Sequence, residues 1–356
     1  MLYQRKNPHG GDSYVGGICL DFSASINPLG TPKGVLEAMR QSLGEVCRYP
    51  DPCCRRLVEA IADAEHVPEG DILCGCGAAE LIYAYCGVLR PRIALVMAPT
   101  FSEYAQALEL VGCRVEQYPL ARENDFDLDS GFLSYLEENR PEVLFLCTPN
   151  NPTGRLIPRE LLLEILAICG RRDIRILLDE CFLELSEGGV SAKDLLGQYP
   201  QMVILQAFTK SFGLAGVRLG YCLSRDRALL EKMSCQVQPW NVSIVAQAAG
   251  VAAAREQQFL LDARALISTE RRWLTAALEN CGIWVCPSAA NYLLLHGEPG
   301  LDIALRRHGI AIRNCNNYQG LGDGWYRVAV RSHEENVKLM QAIRYVYGKG
   351  QVWQKT

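Results

Sequence analysis

An open α/β sheet, mostly parallel, with a smaller α+β domain attached, is the fold this sequence predicts. Three observations carry that reading. Between about residues 70 and 224, short apolar runs alternate with helix-like stretches. Those runs lack the apolar–polar alternation of a half-exposed strand, as expected for strands buried on both faces of a parallel sheet. Beyond about residue 228 the pattern changes to a long helical region, roughly 241–280, then short strand-like segments and a final amphipathic stretch.

At 356 residues the chain has room for one large domain or two coupled ones. Hydrophobic residues make up 49% and charged residues 21%, so a substantial core can form. The formal net charge of −4, with no long basic or acidic block, argues against nucleic acid or an anionic membrane as the main partner. The opening MLYQRKNPHGGDSY has no apolar signal-peptide core, and no run of about 18 apolar residues could span a bilayer. The 16 cysteines are dispersed, many inside apolar runs (Cys147, Cys169, Cys222). Cys74 and Cys76, and the adjacent Cys53 and Cys54, lack a second pair at zinc-site spacing. Reduced, mostly buried thiols, no metal centre and a cytoplasmic setting are expected.

The elements follow in order. The first 45 residues, rich in Gly and Pro, are expected to wrap across the site or join the small domain. CGCGAAEL (74–81) is a glycine-bearing turn into a helix over 78–89, and the backbone N–H groups of such a helix start favour a phosphate. RIALVMAP (92–99) is a strand, followed by Phe101 and a helix over 102–111. EVLFLCTP (142–149) is the next strand, followed by the NNPTG turn and a helix over 158–170 announced by Pro158. RILLDECF (175–182), QMVILQAF (201–208) and RLGYCLS (218–224) complete the series. IWVCPSAANYLLLHG, IAIRNC and WYRVAVR then supply the smaller unit. The expected division is a large domain over 46–240, with 1–45 and 241–356 forming an N-terminal arm and the small domain.

In open α/β sheets ligands bind beyond the carboxyl ends of the strands. Four of these strands end in residues with chemistry: Pro99-Thr100-Phe101, Asn150-Asn151-Pro152, Asp179 and Lys210. Each has an ordinary explanation when read alone. Phe101 fits a core as well as a stacking role. The turn at Asn151 either exposes an amide able to donate to a phenolic oxygen or is simply a turn. Asp179 needs a partner, which a protonated ring nitrogen, a buried arginine or a helix N-terminus would supply. Lys210 sits in TKSFGLAGVRLG with Arg218 eight residues on. A lysine partly desolvated near cations has a lowered pKa, and its neutral amine can form a Schiff base with an aldehyde.

Taken in sequence order, GCGAAE, PTF, NNPTG, DE and TKSFGLAGVRLG resemble the fold-type I, aspartate-aminotransferase-like enzymes that use pyridoxal 5'-phosphate, over nearly the whole chain. The resemblance implies that Lys210 carries the cofactor as an imine and shuttles a proton. It implies that Asp179 pairs with the pyridine nitrogen, Asn151 contacts the ring oxygen and Phe101 stacks on the ring. Gly77, Ala78, Ala79, Thr209 and Arg218 would hold the cofactor phosphate. Tyr49, in RYPD, resembles a tyrosine that reaches that phosphate from a neighbouring subunit, which implies a homodimer with shared active sites. Arg327 matches the arginine that forks onto the substrate α-carboxylate. Two positions depart from the pattern: Phe182 stands where many relatives have tyrosine, and Ala207 where many have Ser or Thr. Both argue against a straightforward aminotransferase.

The N-terminal NPHGGD (7–12) and LDFSASINPLGTP (20–32) resemble the cobalamin-pathway threonine-phosphate decarboxylases more than the neighbouring histidinol-phosphate aminotransferases. The resemblance implies a carboxy-lyase that converts O-phospho-L-threonine to (R)-1-amino-2-propanol O-2-phosphate and CO2. His9, Asn27, Gly30, Arg327 and Arg331 would bind substrate, Arg327 at the carboxylate and Arg331 with His9 at the phosphate. The alternatives are a histidinol-phosphate aminotransferase and a decarboxylase preferring O-phospho-L-serine. One methyl group discriminates by only about 1–3 kcal/mol.

Overall fold

Each of the five long apolar runs folds as a buried strand. The computed structural model describes residues 9–11, 14 and 17–353, with side chains to residue 348. Asn7, Pro8 and Asp12 of NPHGGD lie outside the described residues. In chain order the strands are β1 (Leu20–Asp21), β2 (Ile72–Gly75), β3 (Ile93–Ala98), β4 (Arg114–Pro119), β5 (Val143–Cys147), β6 (Arg175–Asp179), β7 (Met202–Ala207), β8 (Gly220–Leu223), β9 (Trp284–Val285), β10 (Tyr292–His296), β11 (Ile310–Ala311), β12 (Arg313–Asn314) and β13 (Trp325–Ala329).

A seven-stranded sheet has the order β2-β8-β7-β6-β5-β3-β4. The pairs β4–β3, β3–β5, β5–β6 and β6–β7 are parallel. The strand read from RLGYCLS departs from an all-parallel sheet, because β8 is antiparallel to both β7 and β2. Two strands had no counterpart among the apolar runs. β2 is four residues long and merges into the glycine turn. β4 (RVEQYP) is the sheet's edge and half-exposed, so it carries no apolar run.

Alternate residues of the central strands feed two cores. Leu144, Leu146, Ile176, Leu178, Met202 and Ile204 pack on one face with the helix Arg159–Arg172. Val143, Phe145, Leu177, Val203 and Leu205 pack on the other with the helices Ala78–Leu89 and Glu103–Leu110. Full burial on both faces is why these strands read as unbroken apolar runs. Each such side chain contributes about 1.5–3 kcal/mol.

A second sheet, β12-β13-β10-β9, is backed by the helices Gln257–Glu279 and His333–Trp353 through Leu274, Leu278, Leu339 and Ile343. The expected helical stretch from 241 to 280 is two helices, Ile244–Ala253 and Gln257–Glu279. The first is capped by the Ser243 hydroxyl, which accepts from the Ala246 N–H at 3.2 Å. It packs on the helix Lys33–Ser42, and Val35, Ala246 and Ala249 join the core on the Arg159–Arg172 face of the large sheet. The apolar core therefore runs continuously across residues 45 and 240.

The N-terminal segment runs between the second sheet and the end of β7. β1 pairs in parallel with β11, and the Ala329 N–H donates to the Phe22 carbonyl at 2.8 Å. The chain then crosses to the end of β7, where the Asn27 N–H donates to the Lys210 carbonyl at 3.1 Å. Gly213 makes that crossing possible: its φ is +67°, and a Cβ there would lie 2.6 Å from the Gly30 carbonyl oxygen. Gly213→Ala is expected to destabilise the protein by about 1–3 kcal/mol, read as a lower urea midpoint at unchanged slope.

Candidate active site

β7 is buried along its whole length, and the chain turns directly from Ala207 into the short helix Phe208–Ser211. This places Lys210 at the carboxyl end of a central strand, lining a cavity. Burial, then the neighbouring Arg327 charge, press its pKa down to about 8, with Arg218 adding to the effect. Nζ lies 5.4 Å from the centroid of the Phe182 ring, so the amine rests on an apolar wall.

Asp179 ends the adjacent strand, β6, and is buried. Its Oδ2 accepts from the Tyr104 hydroxyl at 2.5 Å and its Oδ1 from the Cys181 N–H at 2.9 Å. Burial pushes the carboxyl above its ordinary range, and these two donors pull against that. The next residue serves the fold instead. Glu180 accepts from the Ser191 hydroxyl at 2.7 Å, the Ala192 N–H at 2.8 Å and the Gln206 amide at 3.1 Å. Burial pushes its carboxyl up to about 7.

Phe101 lines the cavity edge-on to Tyr104, with centroids 5.5 Å apart. Ala78 and Ala79 bring the first turn of the helix Ala78–Leu89 to the same cavity, together with Thr209 and Arg218. Gly77 stands behind them at φ +80°, and a Cβ there would meet the Arg218 guanidinium at 2.6 Å. Backbone N–H groups at a helix start, a hydroxyl and a guanidinium form an anion cradle. An amine, a carboxylate and an aromatic face stand in the same cavity. This donor set fits a flat aldehyde-bearing ring with a phosphate.

The opposite wall comes from the second sheet. Arg327, on β13, donates from Nη1 to the Asn151 Oδ1 at 2.5 Å and from Nη2 to the Ser23 carbonyl at 2.9 Å. Its Nε is buried and has no hydrogen-bond partner among the described residues. Arg313, on β12, is the cross-strand partner of Arg327 and lines the same cavity. It is oriented by donating to the Asn314 carbonyl and, at 2.7 Å, to the Asn317 Oδ1. Tyr318 donates to the Asn151 Oδ1 at 3.2 Å, so the amide oxygen faces these groups.

The cavity thus gathers Lys210, Asp179, Asn151, Phe101, Ala78, Ala79, Thr209, Arg218, Arg327 and His9. Five expected residues do not line it: Gly77 stands behind the cradle, and four lie elsewhere. Arg331 donates to the Asp21 carbonyl at 3.0 Å and to Glu335 at 2.7 Å, so its charge is held by the C-terminal helix rather than turned into the cavity. Asn27 is taken up by the fold: its Nδ2 donates to the Ser211 carbonyl at 2.7 Å and its Oδ1 accepts from the Leu29 N–H at 2.9 Å. Gly30 packs its carbonyl on Gly213. Tyr49 is 77% exposed, stacked on Trp240 at 4.5 Å, and does not line the cavity of its own chain.

Tyr104, Arg313 and Tyr318 were not read from the sequence. Tyr104 sits on the buried face of a helix and looks like any core aromatic. Arg313 carried a usable signal, since an arginine inside the apolar run IAIRNC needs an anion or acceptors. Among the described residues no helix is long and apolar enough to cross a membrane, and no group of His, Cys, Asp and Glu could hold a metal ion.

Comparison with known proteins gives the family and the fold. The sequence profile of the family described as aminotransferase class I and II matches residues 17–343. The chain is 37% identical over 332 residues to the threonine-phosphate decarboxylase of Salmonella typhimurium, covering 92% of this chain and 91% of that protein. It is 29% identical over 339 residues to the adenosylcobalamin biosynthesis bifunctional protein CobDQ of Leptospira interrogans, covering 92% of this chain and 39% of that one. Among solved structures, the histidinol-phosphate aminotransferase from Clostridium acetobutylicum superimposes with a TM-score of 0.87 at 27% identity, covering 93% of this chain and 99% of that chain.

The lowered pKa of Lys210 has a direct readout. In cofactor-free protein, acylation of Lys210 by a limiting anhydride is expected to reach its plateau just above pH 8, whereas ordinary lysines keep gaining reactivity to about 10.4. Since the folded form binds fewer protons than the unfolded form between those values, this group makes stability rise with pH across that window. A Lys210 profile that follows the surface lysines would contradict the buried, cation-flanked site.

Proposed function

The chain belongs to the aminotransferase class I and II family, and from that premise we propose that it decarboxylates O-phospho-L-threonine to (R)-1-amino-2-propanol O-2-phosphate and CO2, a step of cobalamin biosynthesis. One observation carries the choice of substrate. Arg313 and Arg327 are direct cross-strand partners, and both line the Lys210 cavity. Two guanidiniums converging on one cavity suit a ligand with two anionic groups. A small amino acid bearing both a carboxylate and a phosphate supplies two.

Pyridoxal 5'-phosphate, when bound, supplies an electron sink for the bond broken at the substrate α-carbon. Lys210, Asp179, Asn151 and Phe101 would hold its ring, and Ala78, Ala79, Thr209 and Arg218 its phosphate. Arg327 offers its unpartnered Nε to the substrate carboxylate. Arg313 and His9 take the substrate phosphate, the role first expected of Arg331. Loss of CO2 leaves an electron pair on the α-carbon that must take up one proton. Lys210, with a pKa near 8, is the group that holds a proton beside it.

A homodimer with shared sites belongs to the same reading. Leu36, Leu43, Val46, Tyr49 and Trp240 are exposed large hydrophobics, most of them on one stretch of chain, and a second copy is the occupant that would use them. Tyr49 of that copy would then reach the cofactor phosphate. A cytoplasmic setting fits the many buried, unpaired thiols.

The activity test is CO2 release by the purified holoenzyme from O-phospho-L-threonine and O-phospho-L-serine, run beside histidinol phosphate with 2-oxoglutarate. CO2 release with phosphothreonine preferred is the expected result. Amino transfer without CO2 would assign the histidinol-phosphate reaction instead. For the shared site, Lys210→Ala and Tyr49→Ala variants are each expected to be impaired. Dissociating and remixing them should recover about a quarter of wild-type activity, because half the dimers carry one complete site. No recovery from demonstrably exchanged chains would rule the shared site out.

A further inference from the structure

His9 is the described arm residue that reaches the cavity farthest from the second sheet, and its position is set by a residue no motif singled out. Glu103 opens the helix Glu103–Leu110, directly beside Tyr104 and two residues after Phe101. Its carboxylate is only 14% exposed. One oxygen, Oε2, accepts from the Tyr83 hydroxyl at 2.8 Å. The other, Oε1, lies 2.6 Å from the His9 Nε2. Tyr83 stands on the helix Ala78–Leu89, whose first turn lines the cavity, so Glu103 is braced from the cofactor side. The imidazole in turn rests against Phe101, with centroids 5.6 Å apart.

The arm has a second anchor. A Cβ on Gly10 would lie 2.2 Å from the Ser23 carbonyl oxygen, so only glycine permits this approach. The Gly11 N–H donates to the Ser23 hydroxyl at 2.8 Å. The same Ser23 carbonyl accepts from Arg327 at 2.9 Å. Residues 9–11 therefore bridge Glu103 on one wall to the support of the substrate arginine on the other.

We propose that Glu103 is a positioning residue that holds the arm, through His9, closed over the substrate pocket. The inference rests on the decarboxylase reading for its substrate, and it deepens that reading. It also has an electrostatic side. A carboxylate beside a dianionic substrate is tolerable only while an imidazole lies against it. Removing His9 alone leaves Glu103 facing the phosphate, where like charges repel.

Two measurements test this. First, in the holoenzyme without substrate, hydrogen–deuterium exchange is followed in the peptide covering residues 9–25. Glu103→Gln and Gly10→Ala are each expected to speed exchange at Gly11 and its neighbours. Unchanged protection in both variants would overturn the proposal. This readout needs no turnover, so it stands even if O-phospho-L-threonine proves not to be the substrate. Second, in the decarboxylation assay Glu103→Gln is expected to raise KM about tenfold with kcat held within about threefold. In a His9→Ala background the same change is expected to be neutral or to lower KM. A Glu103→Gln loss that persists at full size without His9 would mean Glu103 acts independently of the arm, and the proposal would fail. Absence of CO2 release by the wild type would count against the decarboxylase reading, leaving the exchange result to decide on the arm.

Discussion

The structure depends on bringing a buried amine and a buried carboxylate to one cavity. Asp179 ends β6, and Lys210 lies three residues beyond the end of the adjacent parallel strand β7. The fold occupies both oxygens of Asp179, one with the Tyr104 hydroxyl and one with the Cys181 N–H. Burial, and then the Arg327 and Arg218 charges, disfavour the charged form of Lys210. The parallel sheet is what makes this possible. Only strands delivered side by side in the same direction bring several chain segments to one end without a flexible loop deciding the distances.

The cavity then has more cations than anions among its own lining groups. Lys210, Arg218, Arg313 and Arg327 face Asp179 there. Such an excess focuses field lines on anionic ligands and is tolerable only because ligands bring the missing charge. Arg327, on the second sheet, is supported by neutral acceptors, the Asn151 amide and the Ser23 carbonyl. Neutral support orients a guanidinium without cancelling its charge. Arg331 shows the contrast: its bond to Glu335 orients it and neutralises it together, which suits a structural role.

Which parts were legible in the sequence follows from the same physics. The fully buried strands were visible because burial on both faces demands continuous apolar runs. β4 was not, because an edge strand is half wet and its polar residues break the run. The direction of β8 was not, because the apolar pattern of a buried strand is the same read either way. Lys210, Asp179, Asn151 and Phe101 stood out as unusual residues at strand ends. Tyr104 did not, because its hydroxyl lies at the tip of an otherwise ordinary core aromatic, and only the fold reveals that the tip meets Asp179. Arg331 and Asn27 misled for the opposite reason. Their residue types suit anion binding, but the fold uses their donors elsewhere, on the Asp21 carbonyl and Glu335 for Arg331 and on the Ser211 carbonyl for Asn27.

The reaction is decided farther from the ring than the cofactor residues are. Phe182 gives Lys210 an apolar neighbour and packs edge-on against Tyr292 at 4.9 Å. That wall favours a neutral amine, which serves decarboxylation and transamination equally. What separates the two is which bond at the α-carbon stands perpendicular to the ring, and that angle is set by where carboxylate and phosphate are gripped. The cavity-lining groups that fit those anions, Arg313, Arg327 and His9, stand on β12, β13 and the N-terminal segment. Ser23 joins them, accepting from Arg327 and from Gly11 at once. A shift of the arm therefore moves the support of Arg327. In this fold the large sheet brings Lys210 and Asp179 to the cavity, and the second sheet brings Arg313 and Arg327 to its opposite wall.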